Sequence, residues 1–430
     1  MLERLFQLKK NNTSVRIEII AGISTFLTMS YIIFVNPSVL SQTGMDPGAV
    51  FVATCLAAAF GSALMGIIAN YPIALAPGMG LNAYFTYSVV LGSGHSWQVA
   101  LGAVFISGLI FLCLSILPVR EYIINSIPKS LKLAIAAGIG LFLAIIGFKN
   151  AGIITGSSAT LLTLGDLHQT TTLLAILGFF LIIGLEAIGI LGGTIISILV
   201  VTVLGVLLGH EKFIGIFSMP PSIMPTFLQM DLKGAVSLGL VTIVFAFLFV
   251  DLFDNTGTLI GIAYRAGFMD KNGKLPRINR VLIADSAAAI AGAVLGTSTT
   301  TSYVESAVGV KSGGRTGLMA VVVAILFLLA LFLSPLAASI PIYATAPALV
   351  YVACLMARAL TEIHWEDATE YAPAMITALS MPLTFSIAEG ISFGFISYTA
   401  IKIISGRFRD LNAALIILSL AFIAKYIFLH

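Results

Sequence analysis

The chain has 430 residues, of which 59% are hydrophobic and 10% are charged, and its mean hydropathy is +1.06. Soluble domains carry roughly 25% charged residues, and barrel strands alternate polar and apolar side chains, so this composition excludes both classes. The net charge of +3 is spread over short loops without a basic block, which excludes a nucleic-acid-binding role.

Long apolar runs recur along the chain and predict an all-α polytopic membrane protein. A spanning helix needs about 20 apolar residues. The first 16 residues are polar, and no cleavage-site pattern follows them, so we expect no removable signal peptide. The pattern predicts about 14 segments, near residues 17–40, 49–69, 72–90, 98–117, 131–147, 171–187, 190–208, 236–262, 281–296, 298–310, 317–334, 344–360, 372–404 and 411–429.

Two of these segments are interrupted. Tyr71–Val90 contains Pro77 followed by two glycines, and Leu295–Val310 contains the hydroxyl run Thr297–Ser302. Each is the third segment of its half of the chain. Interrupted segments in matching positions of two halves are the best sequence sign of a transporter binding site. We therefore expect a short strand and a half helix in segments 3 and 10.

Basic loops predict the orientation of the chain. Positive residues gather in Arg265–Arg280, Arg120–Lys132, Lys311–Arg315 and Lys402–Arg409. Because cytoplasmic loops carry an excess of Lys and Arg, we expect these loops and the N-terminus to face the cytoplasm. This orientation requires residues 372–404 to form a hairpin of two short helices.

The eighth segment carries two acidic residues inside an apolar run. Asp251 and Asp254 are three residues apart and share one helical face, which Asn255 joins. Ionisable groups inside a membrane are costly and functional by default, and two crowded carboxylates tend to share a proton. We predict a proton-coupling role for the two aspartates and substrate contacts from Asp251 and Asn255. The alternative is that the aspartates cap a helix broken around Gly257 or pair with a loop arginine.

The tenth segment reads GTSTTTSYVESAVG and carries a third buried acid, Glu305. We expect its half helix to begin near Ser302, with Glu305 in the first turn. The free N–H groups of such a helix start favour polar acceptors and negative charge. We predict that Glu305 binds substrate or the coupled proton, that Ser302 lies in the same site, and that Tyr303 stacks on a planar ring. The alternatives are a helix-start carboxylate and a packing tyrosine.

The third segment reads ALAPGMGLNAYF, and Pro77 with its glycines forbids a continuous helix. Asn82 offers both a donor and an acceptor, which suits the edge of a heterocycle. The alternative is a helix cap, since Asn is a common one. Phe85 is a second candidate for stacking on a ring, although an aromatic residue here is also ordinary packing.

Other polar residues give weaker signals. Asp285 and Glu389 are secondary candidates, and Glu186 lies close enough to a helix end to reach water. The three cysteines lie in apolar runs and are predicted to be small core residues, not disulfides or metal ligands. No Walker loop, metal-ligand spacing or nucleophile constellation is present, so we expect no ATP-driven pump, no metal, no cofactor and no enzyme.

Five strings together resemble the AzgA-like purine permeases of the nucleobase–cation symporter group, over essentially the full length. They are EIIAGISTFLTMSYIIFVNPSVL, ALAPGMGLNAYF, FVDLFDNTGTL, GTSTTTSYVESAVGV and GGRTGL. The resemblance implies proton symport of adenine, guanine or hypoxanthine by a multi-pass protein of the bacterial inner membrane. A carrier of another nucleobase or of a small anion, and a channel, remain the alternatives.

The resemblance also implies the uracil-transporter fold, with two inverted repeats of seven segments. Residues 16–118 and 236–335 would form a core domain, and residues 119–235 and 336–430 a gate domain. The strands of segments 3 and 10 would pair, with the ligand between their helix ends. Contacts between gate domains would allow a homodimer, which the sequence itself does not show.

In this family the binding residues lie in segments 3, 8 and 10. They correspond to Asn82, Asp251, Tyr303 and Glu305, with Asp254 and Asn255 beside them. Related uracil carriers have a histidine near the position of Asn255, and this sequence lacks it. A carboxylate is therefore expected to take over the proton step.

Overall fold

The structure is a computed structural model that describes residues 2–116, 127–158, 160–236, 241–266, 268 and 275–428. Within this part of the chain, nine helices are long and apolar enough to cross a membrane. Three shorter apolar helices lie at Gly193–Leu207, Ile243–Leu252 and Ala413–Ile427 in the same part of the chain. The prediction of a polytopic helical membrane protein is confirmed.

The helices are, in chain order, α1 Leu2–Phe6, α2 Val15–Met29, α3 Ile32–Leu40, α4 Pro47–Leu64, α5 Met79–Ala83, α6 Trp97–Ile116, α7 Lys129–Asn150, α8 Thr170–Ala187, α9 Gly193–Leu207, α10 Leu232–Ala235, α11 Val241–Ala266, α12 Ile278–Leu295, α13 Ser306–Lys311, α14 Gly317–Ala330, α15 Ser334–Ala338, α16 Ile342–Ala357, α17 Ala368–Thr384, α18 Ile387–Ile404 and α19 Ala413–Phe428. The strands are β1 Leu75–Pro77, β2 Ile154–Ser157, β3 Leu161–Leu164 and β4 Thr300–Ser302. Single π-helical stretches at Met65–Ala69 and Tyr84–Gly92 continue α4 and α5.

Segments 3 and 10 are interrupted as predicted. Strands β1 and β4 pair antiparallel, with Leu75 opposite Ser302 and Pro77 opposite Thr300. The half helix α5 follows β1, and the half helix α13 follows β4. The prediction that α13 begins near Ser302 is wrong by about one turn, because the Tyr303 N–H donates to the Ala74 carbonyl at 3.0 Å and continues the strand pairing. The helix therefore begins at Ser306.

The predicted hairpin within residues 372–404 is also confirmed. Helix α17 ends at Thr384, and Phe385 turns the chain with a left-handed φ of 50°. Helix α18 begins at Ile387, where the Ser386 hydroxyl accepts a hydrogen bond from the Glu389 N–H at 3.3 Å. In the part of the chain that the structure describes, fourteen segments thus precede α19 when each interrupted segment counts once.

The helices pack into two bundles. Helices α2 to α6 pack mainly against α11 to α15, and we call this group the core bundle. Helices α7 to α9 pack mainly against α16 to α19, and we call this group the gate bundle. The assignment of substrate binding to one bundle and gating to the other remains a prediction.

One prediction about the cysteines is wrong. Cys55 is buried as expected, but Cys113 and Cys354 are exposed on the surfaces of α6 and α16. An apolar run does not reveal its packed side in a membrane protein, since lipid tails are as apolar as the protein interior.

A buried carboxylate holds the core bundle together at one end. Glu18 of α2 is fully buried and accepts backbone N–H groups from Arg315 at 2.8 Å and Met319 at 3.1 Å. The Thr316 N–H lies 3.4 Å from the same carboxylate. The first N–H groups of a helix lack partners within that helix, and a carboxylate satisfies them while meeting the positive end of the helix dipole. Part of the GGRTGL string therefore has a structural role, because its backbone N–H groups at Arg315 and Thr316 bind the Glu18 carboxylate.

We expect Glu18→Ala to lower the free energy of unfolding by about 3 kcal/mol, because buried N–H groups of α14 would lose a charged acceptor. Thermal unfolding of the purified protein in detergent checks this. Glu3→Ala is the matched control, since Glu3 is an exposed residue of α1. Equal unfolding temperatures for Glu18→Ala and Glu3→Ala would contradict the assigned role.

Candidate substrate site

The predicted site residue Glu305 lies where three interrupted segments meet. It occupies the cap position of α13 and is half-buried, and the neighbouring Val304 is 48% exposed. The Glu305 carboxylate accepts a hydrogen bond from the Tyr31 hydroxyl at 2.8 Å. Tyr31 is buried at the break between α2 and α3. This hydrogen bond fixes the carboxylate while leaving it acceptor capacity.

Tyr303 joins the two paired strands through its side chain. Its hydroxyl donates to the Pro77 carbonyl at 2.6 Å, and its ring is buried. Tyr303 therefore holds the end of β1 against the start of segment 10. Stacking of its ring on a ligand remains a prediction.

Asn82 is fully buried in α5 and does not cap that helix, whose cap position is Gly78. The side-chain oxygen of Asn82 accepts a hydrogen bond from the Ser298 hydroxyl, while its amide nitrogen lies 4.0 Å from the Met79 sulfur. Asn82 therefore ties α5 to the residues before β4, and its amide N–H groups retain donor capacity. Phe85 is fully buried within the core bundle, and its stacking role remains a prediction.

Helix α11 continues through Gly257, so the alternative in which the aspartates cap a broken helix is wrong. Asp251 and Asn255 are both buried and lie one turn apart on α11, which packs against β4 and α13. The side chain of Asp254 lies outside the described residues.

Buried polar atoms without hydrogen-bond partners gather around β4. Among the described residues, neither polar atom of the Asn255 amide has a partner. The same holds for the hydroxyls of Thr299, Thr301 and Ser302. An unsatisfied buried polar group costs about 1–3 kcal/mol, so native proteins satisfy such groups with water or ligand. These groups are donors and acceptors that lie beside the paired strands.

Sequence reasoning missed two residues of this region. Tyr31 is the hydrogen-bond donor to Glu305, and Asn36 donates to Thr54 at 2.7 Å and to Thr297 at 2.8 Å. Both lie inside apolar runs, where a tyrosine or a single asparagine resembles packing. The Asn-Pro pair at residues 36 and 37 was an available signal, because Pro37 lies inside α3 and removes one backbone N–H of that helix.

The weaker acidic candidates lie on helices other than α11 and α13. Asp285 is fully buried in α12. Glu389 pairs with Lys425 and Tyr426 within the gate bundle, which gives it a structural partner. Glu186 is exposed in the last turn of α8, which confirms the prediction that it reaches the molecular surface.

The basic residues that marked one predicted cytoplasmic loop form a charge cluster in the gate bundle. Lys402 is 1% exposed and pairs with Glu370 at 2.6 Å and Asp410 at 2.8 Å. A cavity of about 380 Å³ lies beside this cluster. The hydrogen bond from Arg407 lowers the pKa of Asp367 to about 2, so this carboxylate stays ionised throughout the physiological range.

A broken segment in each half, with paired strands and half-helix ends meeting inside the protein, is the architecture of secondary transporters. The chain is a multi-pass membrane transporter, not an enzyme. The model of the Permease family, Xan_ur_permease, matches residues 16–393, and the chain belongs to this family.

Several curated relatives are similar over nearly the whole chain. A putative permease of Methanocaldococcus jannaschii is 53% identical over 429 residues, which cover 100% of this chain and 98% of that protein. The adenine permease AdeP of Escherichia coli is 51% identical and covers 100% and 96% of the two chains. The guanine/hypoxanthine permease PbuG of Bacillus subtilis is 47% identical and covers 100% of both.

Solved structures share the fold at low identity. The transmembrane domain of the cyanobacterial bicarbonate transporter BicA superposes with a TM-score of 0.66 at 15% identity, covering 87% of this chain and 96% of that domain. The murine Solute Carrier 26 family member A9 anion transporter, in the inward-facing state, gives a TM-score of 0.67 at 11% identity, covering 91% and 68%. These likenesses confirm the predicted fold class.

Proposed function

We propose that this protein carries purine nucleobases across the bacterial inner membrane together with a proton, by alternating access. Relatives named for adenine and for guanine and hypoxanthine support the purine class. The observation that carries the proposal is the Glu305 carboxylate, held by Tyr31 at the start of a half helix beside buried polar groups. No cofactor is needed, because the proton is the coupling ion.

In this proposal the purine lies between the ends of α5 and α13. Glu305 and Asp251 accept its ring N–H and amino protons. Asn255 and Ser302, whose side-chain polar atoms lack partners among the described residues, complete its hydrogen bonds. Ligand acceptors meet the free N–H groups of the half helices and the amide nitrogen of Asn82. Tyr303 or Phe85 stacks on the ring.

Proton coupling follows from burying acidic groups beside a neutral ligand. A proton held by Asp251, Asp254 or Glu305 lowers the cost of moving these carboxylates through a low-dielectric passage. One coupled charge gains about 2.3 kcal/mol per 100 mV of membrane potential. That energy supports accumulation of roughly fifty-fold before any pH gradient contributes.

The contacts between the bundles support a state that is closed at the outer end. Ser88 of the core bundle donates to the Phe385 carbonyl at 2.8 Å, and Asn150 of the gate bundle donates to the Tyr87 hydroxyl at 3.2 Å. The Ser38 and Thr345 hydroxyls lie 3.3 Å apart. The distribution of basic loops supports an orientation with this end outside the cell and the N-terminus in the cytoplasm. Movement of one bundle against the other would break these contacts and open the site outward.

Uptake of labelled adenine, guanine and hypoxanthine tests the function in a bacterial strain that lacks its own purine carriers. We expect saturable uptake of at least one purine that a protonophore abolishes. Uptake indifferent to the protonophore would overturn symport, and uptake of none would overturn the substrate class. Uptake that does not saturate would favour a channel.

Inorganic anions serve as competitors in the same assay. The bicarbonate transporter BicA shares only the fold with this chain. Carboxylates around the ligand disfavour an anion by like-charge repulsion. We therefore expect bicarbonate and sulfate to leave purine uptake unchanged.

A further inference from the structure

The connection between α9 and α10 carries a run of exposed apolar side chains. Residues 208–231, which we call the strap, form neither a helix nor a strand along their whole length. Five large apolar side chains in its first half are exposed, namely Phe213, Ile214, Ile216, Phe217 and Met219. Phe217 is 75% exposed and Met219 is 80% exposed. Neighbouring exposed apolar residues mark an interaction surface, whereas scattered ones need no explanation.

The strap is fixed to the core bundle, although it begins at a helix of the gate bundle. The Ser218 N–H donates to the Phe332 carbonyl at 3.0 Å, and the Ser218 and Ser334 hydroxyls lie 3.0 Å apart. Further along, the Leu228 N–H donates to the Val294 carbonyl near the end of α12 at 2.9 Å. These hydrogen bonds hold the backbone of the strap against the ends of core helices and leave its apolar side chains on the outside.

The exposed run continues the apolar surface of a spanning helix. Gly317–Ala338 is long and apolar enough to cross a membrane. The exposed face of this helix includes Ile325, Leu328, Leu329 and Phe332. Because Ser218 binds the Phe332 carbonyl, Phe217 and Met219 on either side of it lie where that face ends. The exposed face of a spanning helix contacts lipid, so the run extends a surface that already faces lipid.

The backbone and the charges of the strap determine how deep it can lie. Irregular backbone exposed to lipid does not occur in the hydrocarbon centre of a bilayer, because its polar groups would lack partners there. The strap therefore belongs at the boundary between headgroups and acyl chains. No charged residue lies between Lys212 and Asp231. A protein partner would be surrounded by a polar rim, which this uncharged stretch does not favour.

We propose that residues 213–219 insert into the phospholipid monolayer at the end of the protein where α9 and α12 end. The partner is the boundary between phospholipid headgroups and acyl chains, and not a second copy of this chain. The strap thereby anchors this end of the core bundle to the membrane surface and joins it to α9 of the gate bundle. The inference does not depend on the transported substrate, so it can fail while the proposed function stands.

Fluorescence quenching in lipid vesicles tests the insertion. Trp97→Phe and Trp365→Phe remove both native tryptophans, and Phe217→Trp then adds a single reporter to the strap. The purified protein is reconstituted into vesicles of phosphatidylethanolamine and phosphatidylglycerol, whose acyl chains are brominated either near the headgroup or near the chain end. We expect the label near the headgroup to quench the reporter roughly twofold or more, and the deep label to quench it less, because interfacial segments insert only about 5–10 Å.

Leu329→Trp and Asp166→Trp are the matched controls in the same background, whose fold is checked by thermal unfolding. Leu329 lies on the exposed face of α14 and should respond to the lipid labels, whereas Asp166 lies in an exposed loop and should respond only to iodide in the water. Quenching of the Phe217→Trp reporter by iodide but not by lipid would overturn the proposal and place the strap in water. Quenching by neither would overturn it in favour of a covering protein, and stronger quenching by the deep label would overturn the interfacial position.

Discussion

Glu305→Gln is expected to weaken purine binding by roughly 10- to 100-fold, the largest loss we expect from a single isosteric change. A hydrogen bond to a charged group contributes about 1.5–3 kcal/mol, and each 1.4 kcal/mol changes an affinity tenfold. The amide keeps one oxygen for the Tyr31 hydroxyl, so the fold around α13 should survive. The amide loses the charge and presents an N–H₂ group where the carboxylate accepted a purine proton.

Binding of a labelled purine to purified protein at several pH values measures this effect. Glu362→Gln is the matched control, because Glu362 forms an exposed pair with Lys129 at 3.2 Å in the gate bundle. Such surface pairs contribute little, so its affinity should equal that of wild type. Wild-type affinity in Glu305→Gln would remove Glu305 from the substrate site, while the fold and the family would stand.

The two interrupted segments could be predicted from the sequence because their causes are local. Pro77 cannot continue a helix, and the hydroxyl run from Thr297 to Ser302 favours an extended strand. The turn at Phe385 was predicted indirectly, since the charges of the following loop required a hairpin. These predictions did not require knowledge of the contacts between segments that are distant in the sequence.

Contacts between distant segments could not be predicted in this way. Tyr31 donates to Glu305 across 274 residues of sequence, and nothing local to Tyr31 signals that partner. Lys402 was used only as a charge that predicts a cytoplasmic loop, and its burial depends on ion pairs with Glu370 and Asp410 from other elements. The sequence left a cap and a substrate contact open for Asn82, and it could not show that Asn82 also links two segments through Ser298.

The GGRTGL string also shows that a motif that resembles a family can have a structural role and need not contact the substrate. The carboxylate of Glu18 and the side chain of Asn70 both hold the first backbone N–H groups of α14, with Asn70 accepting from Gly317 at 2.8 Å. The string therefore builds a junction between segments 1, 2 and 11. The half helix α13 precedes this junction. Its correct placement therefore depends on the hydrogen bonds that Glu18 and Asn70 accept.

Gly317→Ala is expected to destabilise the protein by more than about 3 kcal/mol, beyond the usual cost of overpacking. A Cβ atom at Gly317 would lie 1.9 Å from the Gly66 carbonyl oxygen, and one at Gly66 would lie 2.5 Å from the Gly317 oxygen. Both obstructions are backbone atoms, which cannot rotate away as a side chain would. The two segments would have to separate, and the hydrogen bond from the Gly317 N–H to Asn70 would be lost.

Gly184→Ala gives a matched control in α8, because nothing lies within 4 Å of the Cβ atom that it would add. Alanine is the better helix former, so this control should keep or raise stability, by at most about 1 kcal/mol. Thermal unfolding in detergent and the amount of protein in the membrane measure both variants. Equal behaviour of the two alanine variants would mean that segments 2 and 11 do not approach through their glycines. In that case Asn70 could not hold the start of α14 as described, since it reaches the Gly317 N–H across this contact.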